Sequence, residues 1–139
     1  MSNLTHSDEE QALVDLANQV LPAGGFGNLT SNVVIREGKG GRVWDVSGNE
    51  YVDYLLGAGP MLIGHGHPDV LAAIQEQVTR GTTFFANNEY GIRLAAEIIS
   101  AVACAEKVRF VSTGSEANFY AMRLARAHRK RDCILKFEG

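Results

Sequence analysis

Between Phe110 and Asn118 the chain reads FVSTGSEAN: an apolar pair, three small or hydroxylated residues around a glycine, then helix formers. A strand that enters a helix through such a turn leaves the first helical N–H groups unpaired at the positive end of the helix dipole. Gly114 and Ser115 can then hold a phosphate by main-chain donors, and the hydroxyl of Thr113 or Ser115 can add another. The same residues suit a purely structural role in which Ser112 or Thr113 caps the helix. Spacing alone leaves both roles open.

Other chemistries find less support. No GxxxxGK[ST] segment is present, and Gly57-Ala58-Gly59 has no third glycine at the dinucleotide-binding position, which argues against ATP and NAD. Gly114-Ser115-Glu116-Ala117 lacks the second glycine of a nucleophile elbow. His65 and His67 stand two apart without the spacing of a tetrahedral metal site, so loop-stabilising hydrogen bonds are the expected role and no metal is expected. Cys104 and Cys133 lack a CxxC partner and read as buried, reduced thiols. Trp44 reads as a packing anchor in a hairpin or interface.

The elements that must position the glycine turn follow from periodicity. Ser7-Asp8-Glu9-Glu10 starts a helix carrying Leu13, Leu16, Ala17 and Val20 until Leu21-Pro22-Ala23-Gly24-Gly25 breaks it, which gives an N-terminal arm. Three alternating runs follow, Val33 to Arg36, Arg42 to Val46 and Tyr51 to Tyr54, separated by Gly38-Lys39-Gly40-Gly41 and Ser47-Gly48-Asn49 as two hairpin turns. The glycine-rich stretch from Gly57 to Pro68 is irregular yet holds Met61-Leu62-Ile63, as befits a loop that lines something.

A short helix after Pro68-Asp69 closes at Gly81, and another runs from about Glu89 to Val102 with Ile92, Ala95, Ala96 and Ile99 as its buried stripe. Val108 to Val111 reads as a strand, Ala117 to His128 as a third helix of that part, and Cys133 to Phe137 as a further strand. Arg123, Arg126, Arg129, Lys130 and Arg131 gather where cations complement the helix's C-terminal end. The alternation of helix and strand predicts an α/β class. A final strand at Glu138-Gly139 without a covering helix reads as truncation, because it leaves a strand edge exposed.

With 45% hydrophobic and 21% charged residues among 139, the composition is that of an ordinary globular domain. A net charge of −3 argues against a nucleic-acid platform. The polar, acidic start and the absence of a long apolar run predict no signal segment, no membrane association and a cytoplasmic location.

Several segments taken together resemble the class III pyridoxal-phosphate-dependent aminotransferases, and the entry segment Leu21-Pro22-Ala23-Gly24-Gly25 is most similar to their glutamate-1-semialdehyde 2,1-aminomutase branch. The matching text is Gly41 to Tyr54 (GRVWDVSGNEYVDY), Gly64-His65-Gly66-His67-Pro68, Val108 to Asn118 (VRFVSTGSEAN), Ala121 to Arg126 (AMRLAR) and Lys136-Phe137-Glu138-Gly139. The resemblance implies a partial fold type I (aspartate-aminotransferase-like) architecture. Residues 1–67 would form an arm, hairpin subdomain and entrance loop, and residues 68–139 the truncated start of the large cofactor-binding domain.

It further implies pyridoxal 5'-phosphate as cofactor, with Thr113, Gly114 and Ser115 at its phosphate, and an amino acid or amine as substrate. It also implies a homodimer for the full-length protein. Ala58 replaces an aromatic residue of the aminomutase pattern, and Ala86-Asn87-Asn88 replaces an Ala-Pro, so transaminase and aminomutase both stay open. Lys39, Lys107, Lys130 and Lys136 all lie outside the family's Schiff-base lysine context, so no catalytic residue is assigned and this chain alone is expected not to transaminate. The alternative is a non-catalytic module that is inactive or needs a partner chain.

Overall fold

The computed structural model describes residues 4–26 and 32–138, so Gly139, the last residue of the resembling segments, lies outside the described residues. The chain divides into two compact units, Met1–Thr82 and Thr83–Gly139.

The first unit opens with helix α1, Asp8–Val20. Ser7 caps it by accepting a hydrogen bond from the Glu10 N–H at 3.2 Å, and three acidic residues in the first turn complement the dipole. Leu21 ends it ahead of a single 3₁₀ turn, Pro22–Gly24, as the breaker segment predicts. Next comes an antiparallel meander of β1 (Ile35–Lys39), β2 (Arg42–Asp45) and β3 (Glu50–Val52), in the order β1-β2-β3. Lys39 pairs with Arg42, so the first turn is Gly40-Gly41 alone. That corrects the expected strand limits: β1 starts and ends later than the run Val33 to Arg36, and a register irregularity between Ile35 and Glu37 absorbs the slip.

A polar network joins α1 to the β2–β3 turn. Glu10, fully buried, accepts from the Val34 N–H at 2.9 Å and from the Ser47 hydroxyl. Ser47 Oγ accepts from the Ser7 N–H at 2.8 Å, while Asn49 exchanges bonds with Thr5. Arg36 pairs with Glu9 nearby. Asp45, 2% exposed, accepts from the Asn49 N–H, Asn49 Nδ2 and the Tyr51 hydroxyl, each at 2.7 Å. These two carboxylates are the fully buried large side chains, and no apolar side chain is buried among the described residues. Helix α2, Pro68–Val78, ends the unit with Gly81 in a left-handed turn (φ 96°) and, among the described residues, packs on no other element of it.

The second unit holds α3, Glu89–Ala101, and α4, Gly114–Arg129. Asn88 caps α3 by accepting from the Gly91 N–H at 2.8 Å. Both helices appear where periodicity predicts them, but they do not pack on each other. The expected buried stripe of α3 is therefore not buried: Ile92 and Ile99 are exposed and Ala95 is half-exposed. The expected strands Val108 to Val111 and Cys133 to Phe137 form no ladder among the described residues, because a strand exists only with a pairing partner and these two do not pair. Cys104 and Cys133 are free, as expected, but exposed rather than buried for the same lack of cover.

Candidate anion-binding site

Helix α4 begins where the glycine turn predicts, and its start is built from three residues. Thr113 is the N-cap, in extended backbone geometry (φ −142°, ψ 157°), and its hydroxyl oxygen accepts from the Glu116 N–H at 3.1 Å. Glu116 reaches back, its Oε2 accepting from the Thr113 N–H at 3.1 Å and the Ser112 N–H at 2.7 Å. This reciprocal capping box answers one of the roles left open: Thr113, not Ser112, caps the helix. The Thr-x-x-Glu spacing was the available signal for the part played by Glu116.

The arrangement leaves a defined remainder. The first bond back along the helix runs from the Ala117 N–H to the Thr113 carbonyl at 3.1 Å. The Gly114 and Ser115 N–H groups, at the first two helical positions, precede it and have no carbonyl four residues back inside the helix. Thr113 uses its hydroxyl oxygen as an acceptor and keeps its O–H to donate. A Cβ built on Gly114 would meet nothing within 4 Å, so the backbone there can be approached closely. Thr113, Gly114 and Ser115 are all exposed. Two N–H groups and a hydroxyl at a helix N-terminus are a donor set that fits a phosphate; the Glu116 carboxylate, held on the two preceding N–H groups, is the one opposing charge in the turn.

Further along α4, Arg109 lies over the Tyr120 ring at 4.2 Å and Arg123 over the Phe119 ring at 5.7 Å. At the far end Arg126 Nε donates to the Asp132 carbonyl at 2.6 Å, and Arg126, His128 and Arg129 occupy the last turn as dipole complementarity predicts.

In the first unit, His65 does what a loop-stabilising histidine should. Its Nε2 donates to Asp53 Oδ2 at 2.7 Å, a partner that no spacing signal announced. This hydrogen bond, with the Leu56 N–H, holds the Asp53 carboxyl below its ordinary 3.8. His67 sits at the N-cap of α2 with its Nδ1 enclosed and without a hydrogen-bond partner. Among the described residues no three His, Cys, Asp or Glu side chains come together as a metal site would require.

Residues 26–139 match the sequence model of the class III aminotransferases. The chain belongs to that family. Over 110 residues it is 47% identical to the glutamate-1-semialdehyde 2,1-aminomutase of Sulfurihydrogenibium azorense, a match covering 79% of this chain and 26% of that protein. An omega-transaminase from Sphaerobacter thermophilus superposes with a TM-score of 0.86 at 30% identity, covering 94% of this chain and 31% of that one. A transaminase solved with pyridoxal phosphate bound follows at 0.83 and 32%, covering 92% and 31%. This class III chain thus has the fold of part of a type I aminotransferase, and it spans between a quarter and a third of the length of these relatives. No described helix is long and apolar enough to cross a membrane.

Proposed function

We propose that this chain supplies part of the cofactor-phosphate site of a pyridoxal-phosphate-dependent enzyme that moves an amino group on an amino acid or amine, as transaminase or 2,1-aminomutase. The observation that carries the reading is the donor set at the start of α4, where Gly114 N–H, Ser115 N–H and the Thr113 hydroxyl are left over after the capping box is made. Their place within a segment matched to the class III family supports it.

When bound, pyridoxal phosphate supplies an electron sink for the carbon that loses or gains the amino group. The chain's own part is to anchor and orient. The two N–H groups lie at the positive end of the helix dipole, so this turn offers the phosphate main-chain donors rather than a side-chain charge. Thr113 adds a donor on one side, while Glu116 keeps the Ser112 and Thr113 N–H groups occupied and so restricts the anion to the next two. The loop from Gly57 to His67 belongs, on this reading, to the substrate entrance. A homodimer of the longer protein completes the proposal.

A titration of the chain with inorganic phosphate and with pyridoxal phosphate, followed by amide NMR, tests it. The Gly114 and Ser115 amides are expected to shift together and saturably. Gly114→Pro is the sharpest variant: proline is favoured at the first helical position, Thr113 already has the extended backbone that precedes a proline, and the Cβ side is open, so the helix stays while one donor is lost. Affinity is expected to fall about tenfold, the weight of one hydrogen bond to a charged group. Unmoved Gly114 and Ser115 amides at saturating phosphate would leave the turn as a helix cap and nothing more.

A further inference from the structure

The loop between β3 and α2 holds two left-handed residues that are not glycine, Leu56 (φ 49°) and Ala58 (φ 64°), beside left-handed Gly57, Gly59 and Gly64. Residues with a Cβ resist that conformation, and it persists where the surroundings over-determine it. Within the loop the bonds are short-range: Ala58 N–H to the Leu55 carbonyl, Gly59 and Met61 N–H to Leu56, Gly64 N–H to Met61. What ties it to the rest of its unit is its base. Asp53 Oδ1 accepts from the Leu55 and Leu56 N–H groups, both at 2.9 Å, while Oδ2 takes the His65 Nε2–H at 2.7 Å. The Asp53 N–H donates to the Gly41 carbonyl, and His65 exchanges two backbone bonds of 2.8 Å with Gly40. The fit around the imidazole is close: a Cβ on Gly38 would lie 2.7 Å from the His65 ring, and one on Gly64 would lie 2.8 Å from the Gly40 carbonyl.

We propose that Asp53 and His65 are positioning residues: their side chains form a clasp that holds the loop Tyr54–Gly64, with its left-handed crest at Leu56 and Ala58, in one shape at the substrate entrance. The entrance role rests on the reading of the function given above; the clasp itself rests on the geometry. Asp53 has two jobs on two oxygens, setting the first turn of the loop with one and catching its far end with the other. His65 is wedged between the β1–β2 turn and that carboxylate, so the side-chain pair adds to the backbone bonds that tie the two ends of the loop to Gly40 and Gly41.

Amide hydrogen exchange on the 139-residue chain reads the clasp without cofactor or substrate. In His65→Ala and in Asp53→Ala, exchange at Ala58, Gly59 and Met61, whose N–H groups bond to the Leu55 and Leu56 carbonyls and not to either side chain, is expected to quicken about tenfold, while the Asp45 and Val46 amides of the meander keep their rates. His65→Gln retains an N–H donor for Asp53 and is expected to restore slow exchange. Unchanged rates at Ala58, Gly59 and Met61 overturn the proposal, as does a glutamine variant as fast as the alanine one. Loss of the Asp45 and Val46 protection in both variants also overturns it, since the pair would then be holding the meander rather than the loop.

In a holoenzyme that carries this segment, His65→Ala is expected to raise KM for the amine about fivefold with kcat little changed, and His65→Gln to reverse this. A fall in kcat at constant KM overturns the entrance role. A holoenzyme without any amino-transfer activity overturns the functional reading but leaves the exchange result standing.

Discussion

Asp45 and Tyr51 show how single side chains here are set by their neighbours. Desolvation pushes the Asp45 carboxyl up, but hydrogen bonds from the Asn49 side chain, the Tyr51 hydroxyl and the Asn49 and Ser47 backbone outweigh it and hold the group below its usual 3.8. The other side of the bargain falls on Tyr51, whose phenol is pushed up to about 12, chiefly by donating to Asp45, then by desolvation and the nearby carboxylates Asp45 and Glu10. A raised tyrosine pKa stabilises the fold fully below the unfolded value near 10, and the gain is lost as pH rises toward 12. Absorbance titration is therefore expected to find one phenol ionising near pH 12, and Tyr51→Phe should remove that phase.

The lowered Asp45 and Asp53 act in the opposite direction. Their contribution is complete above about 3.8 and fades as pH falls through their folded values. Acid unfolding of the meander, followed by Trp44 fluorescence, should accordingly begin below pH 4, and Asp45→Asn should flatten that limb. None of this was legible beforehand: Asp45 and Asn49 are near in sequence, but the bonds that bring Thr5, Ser7 and Glu10 to the same turn join positions 37 to 44 apart.

Helices were the most legible elements, because caps and periodicity are local. Ser7, Asn88 and Thr113 each sit one residue before a helix and each accept from an N–H three residues on. Replacing Thr113 by alanine is expected to cost about 1 kcal/mol of α4 stability, visible as lost helical signal in far-ultraviolet circular dichroism. Glu116→Ala should lose helix too, yet strengthen phosphate binding at Gly114 and Ser115 by removing the opposing charge and freeing two more N–H groups. If the turn served only as a cap, both substitutions would weaken the helix and neither would alter the response to phosphate. Strands were less legible. The meander forms because consecutive strands pair through short glycine turns, whereas Val108 to Val111 and Cys133 to Phe137 carry strand-like sequence without a ladder.

For the whole molecule the decisive fact is what lies inside it: two carboxylates, and no apolar side chain among the described residues. The stripes of α1, α2, α3 and α4 are amphipathic as periodicity predicts, yet Leu16, Ile74, Ile92 and Leu124 all remain exposed. Cooperative unfolding draws its heat and its sharpness from buried apolar surface. Calorimetry of the 139-residue chain is thus expected to show a broad, low transition, with strong binding of a hydrophobic dye before heating. A sharp peak would mean that these faces find cover in solution.

The sequence by itself determined what is local: the caps, the helix periods, the glycine turns, and the donor-rich start of α4, because each depends on residues within a few positions of one another. It also held the family likeness, since ordered segments survive in the text whether or not they pack. Only the tertiary structure decided which distant groups meet. It set Glu10 against Val34 and Ser47, and His65 against Asp53, and it left two strand-like segments without a ladder among the described residues. Those outcomes depend on long-range burial and pairing, which propensity and spacing along the chain do not encode.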